Sequence, residues 1–301
     1  MSHLPITIIA YLLNGISVTI DKFLLTKHSP NPLIYVFYFS LVSLLAIFFL
    51  PFVAMPTVPA IILASVSTVL WTTGAYFLFK ALMVGQVSRV IPIVGTLNPI
   101  ILFLVAAFTG NINNIQSLSI VILILGIIFL TSADWKGKIT KNEIIFEVAS
   151  AFLFAVSYLI LREAYLQGQF LSVFIWSRPI LIPLAIILVL IPATRKIVLN
   201  QSGPKINFLS KTGLLFALGQ FCGGISELLL IFAVSLANPA IVNSLQGIQY
   251  AFLFIISLIL AKRIPQVFNE RYTTITLLSK ILGIALIISG LFLLTNSEIH
   301  K

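Results

Sequence analysis

Two ionisable residues within apolar stretches of this sequence could carry chemistry. Arg178 lies in FIWSRPILIP and Glu227 in GGISELLL, and both are far from the ends of their hydrophobic runs. A charged side chain in such a run is costly unless it faces a partner or a polar cavity. The pair therefore predicts either a buried structural ion pair or a contact with a bound solute, in which Glu227 could also exchange a proton.

The segments that hold these residues are strongly apolar. Of 301 residues, 59% are hydrophobic and 9% are charged, and the mean hydropathy is +1.13. Soluble globular domains do not have this composition. The apolar runs are unbroken, whereas strands of a membrane barrel would alternate apolar with polar residues. The sequence therefore predicts an all-α integral membrane protein.

Ten segments are long enough to cross a bilayer, which takes roughly 20 apolar residues per helix. The first of them is predicted to be retained as a span, because MSHLP lacks the basic start of a signal peptide and no small-residue cleavage site ends the run. The predicted spans are Pro5–Leu25, Pro32–Val53, Val58–Ala81, Val87–Phe108, Ile115–Ser132, Ile144–Leu166, Phe170–Ile191, Gly213–Ala237, Pro239–Leu260 and Thr274–Thr295.

The basic residues predict the orientation of these spans. The net charge is +10, and nearly all Lys and Arg residues fall in or beside the odd-numbered loops. Only Arg162 and Lys301 fall on the opposite side, while Arg178 lies within a span. Cytoplasmic loops carry the excess of positive charge, so the odd loops are predicted to be cytoplasmic and both termini outside. The basic character is thus assigned to topology, and no nucleic-acid partner is expected.

Three pairs of segments recur in the same order along the chain. AYLLNGISVTIDKFLL aligns with AFLFAVSYLILREAYL, and FKALMVGQVSRVIPIVGTLNP aligns with IFAVSLANPAIVNSLQGIQYA, which pairs Gly95 with Gly247. The third pair, LSIVILILGIIFLTS and LGIALIISGLFLLTN, matches Gly126 with Gly290. This order predicts five helices written twice. Because five is odd, the second copy enters the membrane from the opposite side, so the repeats are inverted.

The predicted organisation is a first repeat over residues 1–133, a basic linker over 134–142 and a second repeat over 143–301. Each repeat carries an acid and a base side by side on its first helix, Asp21-Lys22 in one and Arg162-Glu163 in the other. In inverted repeats these dipeptides occupy equivalent positions near opposite membrane faces. They are therefore predicted to be too far apart to pair with each other.

These features resemble the drug/metabolite transporter superfamily, specifically its EamA-type members. The resemblance covers nearly the whole chain and rests on Lys22 and Arg162, on the FKAL and IFAV ends of the third helices, on the LNP of helix four, and on Gly126 and Gly290. It implies ten transmembrane helices in two inverted repeats, a place in the plasma or inner membrane, and secondary transport of a small organic metabolite such as an amino acid or a drug-like solute.

Polar side chains at helical spacing predict a central solute cavity. Interhelical hydrogen bonding between packed spans is the competing interpretation for each of them. Glu227 is also the candidate for proton coupling. The candidates for solute contact are Asn14, Trp71, Asn98, Arg178, Gln220, Glu227, Gln246 and Tyr250.

Helix-breaking residues interrupt the fourth predicted span, where Pro92, Gly95 and Pro99 follow one another closely. They either allow bending near the cavity or produce a static kink.

Small residues seven apart, Ser119 with Gly126 and Gly283 with Gly290, mark one face of the fifth and tenth spans. Such faces serve helix packing within a chain or the formation of a homodimer.

The leading functional prediction is a secondary transporter that works by alternating access, coupled to protons or working as an exchanger. Its expected partners are a small-molecule substrate and the lipid bilayer. The sequence has no P-loop and predicts no cofactor and no metal site. An embedded enzyme is disfavoured because His3, His28 and His300 lie outside the predicted spans. A non-transporting receptor or assembly subunit is the alternative.

Overall fold

The computed structural model describes residues 3–25, 32–85, 87–110, 112–132, 140–199, 211–261 and 273–299. Within these ranges every regular element is helical. The α-helices are α1 (His3–Leu25), α2 (Pro32–Ser43), α3 (Val58–Val84), α4 (Val87–Phe108), α5 (Asn114–Thr131), α6 (Lys141–Leu166), α7 (Phe170–Trp176), α8 (Leu181–Leu190), α9 (Pro192–Leu199), α10 (Lys211–Leu236), α11 (Pro239–Ser244), α12 (Gly247–Ala261) and α13 (Thr274–Ile299). Two 3₁₀ segments, Leu44–Phe52 and Arg178–Ile180, follow α2 and α7.

Nine helical stretches in the described ranges are long and apolar enough to cross a membrane. Two of them, Phe170–Leu190 and Pro239–Ile256, each combine shorter helices. These are the features of an all-α, multi-pass membrane protein, as the composition predicts. The second predicted span is the exception, because α2 has 12 residues and then passes into the 3₁₀ segment Leu44–Phe52, which contains Pro51. A tenth crossing there stays a prediction.

Side-chain caps fix where several helices begin. Asn113 Oδ1 accepts a hydrogen bond from the Gln116 backbone N–H at 2.8 Å, and Gln116 Oε1 accepts one from the Asn113 N–H at 3.1 Å. Thr140 and Glu143 form the same reciprocal box at the start of α6. These boxes satisfy backbone donors that would otherwise lack partners. The polar residues that precede α5 and α6 in the sequence therefore set the first turn of each helix.

The chain divides into two compact units. The first comprises Met1–Lys27, Val87–Lys138 and Ile206–Lys301, and the second comprises His28–Gln86 and Ile139–Lys205. The first unit thus holds α1, α4, α5 and α10 to α13, and the second holds α2, α3 and α6 to α9. Both units take helices from each half of the sequence, so neighbours along the chain are often not packing partners.

In the second unit, α3 and α6 pack antiparallel through serine residues. Ser67 Oγ donates to the Ser157 carbonyl at 2.9 Å, and Ser157 Oγ donates to the Ser67 carbonyl at 3.0 Å. Further along, Ser150 Oγ donates to the Gly74 carbonyl at 2.9 Å. Small side chains let the two backbones approach closely, and hydroxyls then link them where lipid offers no competing partner.

We expect the double substitution Ser67→Ala with Ser157→Ala to lower the free energy of unfolding by about 1 kcal/mol, since interhelical hydrogen bonds in membranes average roughly 0.6 kcal/mol each. Titration of purified protein with a denaturing detergent, followed by circular dichroism, measures this change. Ser289→Ala is the control, because the Ser289 hydroxyl is exposed and donates only to Ala285 of its own helix. Equal stability of the double variant and the control would show that the hydrogen bonds between Ser67 and Ser157 do not stabilise the packing of α3 against α6.

In the first unit, α5 and α13 approach through glycines. A Cβ added at Gly126 would lie 2.8 Å from Ile287 Cγ1 and 3.0 Å from the Gly283 carbonyl oxygen. A Cβ added at Gly290 would lie 2.8 Å from Leu123 Cγ. The small-residue faces predicted on these spans therefore pack against each other within this unit. A homodimer stays a prediction.

The first unit also pairs α1 with α10. Ser226 Oγ donates to the Ala10 carbonyl at 2.8 Å. Gly223 lies one turn earlier, and a Cβ there would be 2.9 Å from Ser17 Oγ. As between α3 and α6, a small residue and a serine hydroxyl bring two membrane-length helices together.

Candidate functional site

A break in the ninth predicted span organises the polar residues of the first unit. The segment begins as α11, with Asn238 Oδ1 accepting from the Ala240 N–H at 2.8 Å, and resumes as α12 at Gly247. Between them the backbone tightens, since the Gln246 N–H donates to the Asn243 carbonyl, three residues back, at 3.1 Å. Discontinuous helices of this kind commonly line binding sites in transporters.

Asn98 on α4 forms a buried amide pair with α11. Its Nδ2 donates to Asn243 Oδ1 at 3.0 Å, and Asn243 Nδ2 donates to the Pro239 carbonyl at 3.0 Å. Asn98 and Asn243 are 6% and 5% exposed. The predicted candidate Asn98 thus lies beside the helix break, joined to a residue that comes directly before it.

Tyr250 connects α12 to α4 from the other side of the break. Its hydroxyl donates to the Ile91 carbonyl at 3.0 Å and accepts from Gln246 Nε2 at 3.3 Å. The hydroxyl lies over Gly95, where a Cβ would overlap Tyr250 Oη and lie 2.7 Å from Gln246 Nε2. Gly95 is therefore required for close approach. The span with Pro92 and Pro99 stays one helix, while the break falls in the span whose single proline, Pro239, lies at its first position and not at the break.

Helix α1 supplies the remaining contacts to the same segment. Asn14 Nδ2 donates to Gln249 Oε1 at 3.2 Å, and Tyr11 Oη donates to the Val242 carbonyl at 3.3 Å. Gln249 is 1% exposed. Together these side chains form what we call the polar cluster, whose members are Tyr11, Asn14, Asn98, Asn243, Gln246, Gln249 and Tyr250.

The polar cluster is built from carboxamides and phenols. Such groups hold a polar solute by hydrogen bonds and supply orientation rather than a nucleophile. Among the residues that the structure describes, no group of three or more His, Cys, Asp and Glu is placed to hold a metal ion.

Two further candidates, Gln220 and Glu227, lie on α10 of the first unit. Glu227 is half-buried and within electrostatic range of the Tyr11 phenol, which belongs to the polar cluster. Gln220 is exposed. Glu227 is thus the acidic group of α10 that the fold brings towards the cluster, and its role in proton exchange stays a prediction.

Trp71 and Arg178 belong to the second unit. The Trp71 ring packs against Phe154, with centroids 5.5 Å apart. Arg178 is 9% exposed, and its guanidinium carbon lies 4.2 Å from the centre of the Phe174 ring, a cation–π contact. Here α7 gives way to the 3₁₀ segment Arg178–Ile180, and Pro179 has no N–H to continue the α-helical hydrogen bonds. The ion pair between Arg178 and Glu227 stays a prediction.

The acid-base dipeptides are described only in part. Arg162 is half-buried and Glu163 exposed near the end of α6. The side chains of Asp21 and Lys22 lie outside the described residues, as do residues 133–139 in the predicted linker.

A solved structure shares this fold. It is a crystal structure of a protein that matches 95% of this chain and 98% of its own chain with a TM-score of 0.63 and 15% sequence identity. Likeness at this identity concerns the fold alone. No family model and no curated protein matches the sequence.

The sequence analysis did not identify Gln249 and Tyr11 as members of the polar cluster. An unbroken helix would place Asn243, Gln246 and Tyr250 on one stripe and leave Gln249 off it. The tightened turn changes the phase, so Gln249 meets Asn14 while Tyr250 meets α4. Tyr11 was also missed, although it lies one turn before Asn14.

Two acids of α6 were missed as well. Glu143 and Glu147 are 0% and 2% exposed, and the sequence analysis gave neither of them a role. Their spacing of one helical turn is the signal that marks them as one face.

Proposed function

We propose that this protein is a secondary transporter that moves a small organic metabolite across the cell membrane by alternating access between two inverted five-helix repeats. This function is the one implied by the resemblance to EamA-type members of the drug/metabolite transporter superfamily. The observation that carries the proposal is a set of reciprocal contacts in the first unit. Contacts of this kind are expected when two copies of one element pack about a two-fold axis.

The glycines of α5 and α13 give the first reciprocal pair. The repeat alignment that matches Gly126 with Gly290 also matches Leu123 with Ile287. Gly126 faces Ile287, and Gly290 faces Leu123. Exchanging the two copies therefore turns one contact into the other. Any antiparallel helix pair joins residues in this symmetric way. The feature that favours a repeat is that a glycine occupies the close-contact position in both copies, opposite Ile287 in one and Leu123 in the other.

The hydrogen bonds of α4 with α11 and α12 give the second pair. The alignment that matches Gly95 with Gly247 also matches Asn98 with Tyr250 and Ile91 with Asn243. Asn98 donates to Asn243, and Tyr250 donates to the Ile91 carbonyl. Equivalent positions are again joined, here in the centre of the polar cluster.

A third correspondence compares the two units, each taken by itself. In the first, Ser226 on the third helix of the second repeat donates to Ala10 on the first helix of the first repeat. In the second, Ser150 on the first helix of the second repeat donates to Gly74, the residue that the alignment matches with Ser226. In both units, therefore, the first helix of one repeat meets the third helix of the other repeat. The position of the contact on the first helix differs by one residue between the two units. Inverted repeats with helices exchanged in this way support alternating access.

The break between α11 and α12 supports the location of the substrate site in the proposal. Binding sites of secondary transporters lie where broken helices bring polar groups to the middle of the membrane. The polar cluster gathers around such a break and gives the substrate hydrogen-bonding partners. The proposal includes cytoplasmic odd-numbered loops and both termini outside, as the distribution of Lys and Arg predicts.

Proteoliposomes test the proposal. Purified protein is reconstituted, and uptake and counterflow of labelled L-amino acids, simple alkylamines and polyols are measured with and without a proton gradient. We expect gradient-driven accumulation of at least one solute. Glu227→Gln should abolish this accumulation and retain counterflow, because the amide cannot carry a proton but still permits exchange.

Glu163→Gln is the matched control, since it makes the same chemical change at an exposed site on α6. It should behave as the unsubstituted protein does. If no solute of the panel crosses although the protein is folded and inserted, the transport proposal is overturned. If a solute accumulates equally well with Glu227→Gln, transport stands and proton coupling through Glu227 is wrong.

A further inference from the structure

The buried carboxamide of Asn98 has its orientation fixed by a chain of hydrogen bonds. The Pro239 carbonyl can only accept, so Asn243 must turn its Nδ2 group towards it, at 3.0 Å. Asn243 Oδ1 then faces Asn98, which must present its own Nδ2 group, also at 3.0 Å. Flipping the Asn98 amide would place two carbonyl oxygens against each other. The assignment of oxygen and nitrogen therefore follows from the network.

This orientation points Asn98 Oδ1 away from its amide partner. The atom is buried, and no donor from the described part of the chain lies within hydrogen-bonding distance of it. Buried polar atoms nearly always have a partner, and an exception calls for an explanation. Within the membrane the need is greater, because lipid offers no donor.

Four nearby donor groups of the polar cluster already bond to an acceptor. Those with partners of their own are Tyr11, Asn14, Gln246 and Tyr250. Tyr11 and Tyr250 could serve Asn98 only by giving up these hydrogen bonds, because a hydroxyl has a single hydrogen. No other amide group of the cluster is placed to donate to Asn98 Oδ1. The cluster thus contains an acceptor for which these side chains supply no donor.

The residue that the repeat alignment matches with Asn98 differs from it in hydrogen bonding. Tyr250 corresponds to Asn98, and its hydroxyl both donates to Ile91 and accepts from Gln246. Both hydrogen-bonding functions of the tyrosine oxygen are used. The two copies therefore share a contact geometry, but only Asn98 retains an acceptor for another molecule.

We propose that Asn98 Oδ1 accepts a hydrogen bond from an N–H or O–H group of the transported solute and makes such a donor a requirement for binding. The inference rests on the proposed transport function and names the chemical class of its substrate. A solute with this donor satisfies a buried acceptor, whereas an analogue without it leaves the acceptor unpaired. Sites of this kind reject the analogue strongly.

The test uses the solute of the amino-acid, alkylamine and polyol panel that is transported best, together with analogues in which one amine or hydroxyl group at a time is fully methylated, so that this group keeps no N–H or O–H. Each analogue competes with the labelled parent in counterflow. For the unsubstituted protein we expect one such methylation to weaken competition by about tenfold or more. Whether the sensitive group is an amine or a hydroxyl identifies the source of the donor.

The variant Asn98→Leu with Asn243→Leu removes the acceptor and its amide partner together and keeps the number of side-chain heavy atoms. The Pro239 carbonyl loses only the side-chain donor of Asn243. Its preference for the parent over the sensitive analogue should fall to within about twofold. Ser67→Ala with Ser157→Ala removes a hydrogen-bonded pair in the second unit and should keep the preference. A methyl group excluded only by its size would be excluded equally by the leucine variant.

Three results would overturn this inference. The first is that the unsubstituted protein tolerates every methylation. The second is that the leucine variant keeps the full preference for the parent solute. Either result is expected if Asn98 Oδ1 binds only an internal water. In both cases the protein still transports, so the transport proposal survives. Absence of any transport by the unsubstituted protein would instead remove both. A leucine variant that does not fold leaves the methylation series of the unsubstituted protein to decide.

Discussion

Gly283→Ala is expected to destabilise the first unit by about 3 kcal/mol, at the upper end of the cost of overpacking. A Cβ at this position would lie 2.7 Å from the Leu130 backbone nitrogen and 2.8 Å from the Gly126 carbonyl oxygen. Backbone atoms in a helix cannot rotate away as a side chain can. Helices α5 and α13 would have to separate, which would also loosen the packing of Gly126 against Ile287. Detergent titration followed by circular dichroism measures the loss.

Gly224→Ala is the matched control for this substitution. Gly224 lies within the long helix α10, and a Cβ there would meet no atom within 4 Å. Alanine favours helix over glycine by up to about 1 kcal/mol, so this variant should be neutral or slightly more stable. Similar stability of the two variants would show that α5 and α13 are not in close contact at Gly283.

Gly95→Ala is expected to cost about 2 kcal/mol, because its methyl group would occupy the position of the Tyr250 hydroxyl. Tyr250 is 5% exposed, so the ring has little room to move, and displacing it breaks the hydrogen bond to the Ile91 carbonyl. The substitution should also slow solute counterflow, because it separates α4 from α12 at the polar cluster.

A double-mutant cycle isolates the Gly95 contact. Tyr250→Phe alone should cost about 1 kcal/mol by removing hydrogen bonds to Ile91 and Gln246. Combined with Gly95→Ala it removes the atom that the methyl group would meet, so the double variant should be more stable than the sum of the two costs by about 1 kcal/mol. Strict additivity would mean that Gly95 and the Tyr250 hydroxyl do not meet.

Several features of the candidate site followed from local sequence patterns. Asn98 on the fourth predicted span and Gln246 and Tyr250 on the ninth stood at helical spacing with other polar residues, and the structure places them in one polar cluster. Asn14 also joins it, through Gln249. Trp71, which followed from the same kind of pattern, and Arg178, which followed from its charge within an apolar run, belong to the other unit. A stripe shows that a residue shares a face, but it does not show which helix that face meets.

The sequence by itself determined that this is an all-helical, multi-pass membrane protein. That conclusion depends on the apolar content of successive segments, which is a local property and needs no knowledge of their neighbours. The capping boxes at Asn113 and Thr140 are local in the same sense, because each involves residues three apart.

Only the tertiary structure decided which helices pack together, where the ninth predicted span breaks and which polar atoms are left without donors. Many apolar helices of this chain offer similar surfaces, and hydropathy does not distinguish one partner from another. The choice is made by close contacts between distant residues, such as Gly126 with Ile287 and Asn98 with Asn243. Those contacts exist only once the helices are assembled, because they depend on the shape of both surfaces at once.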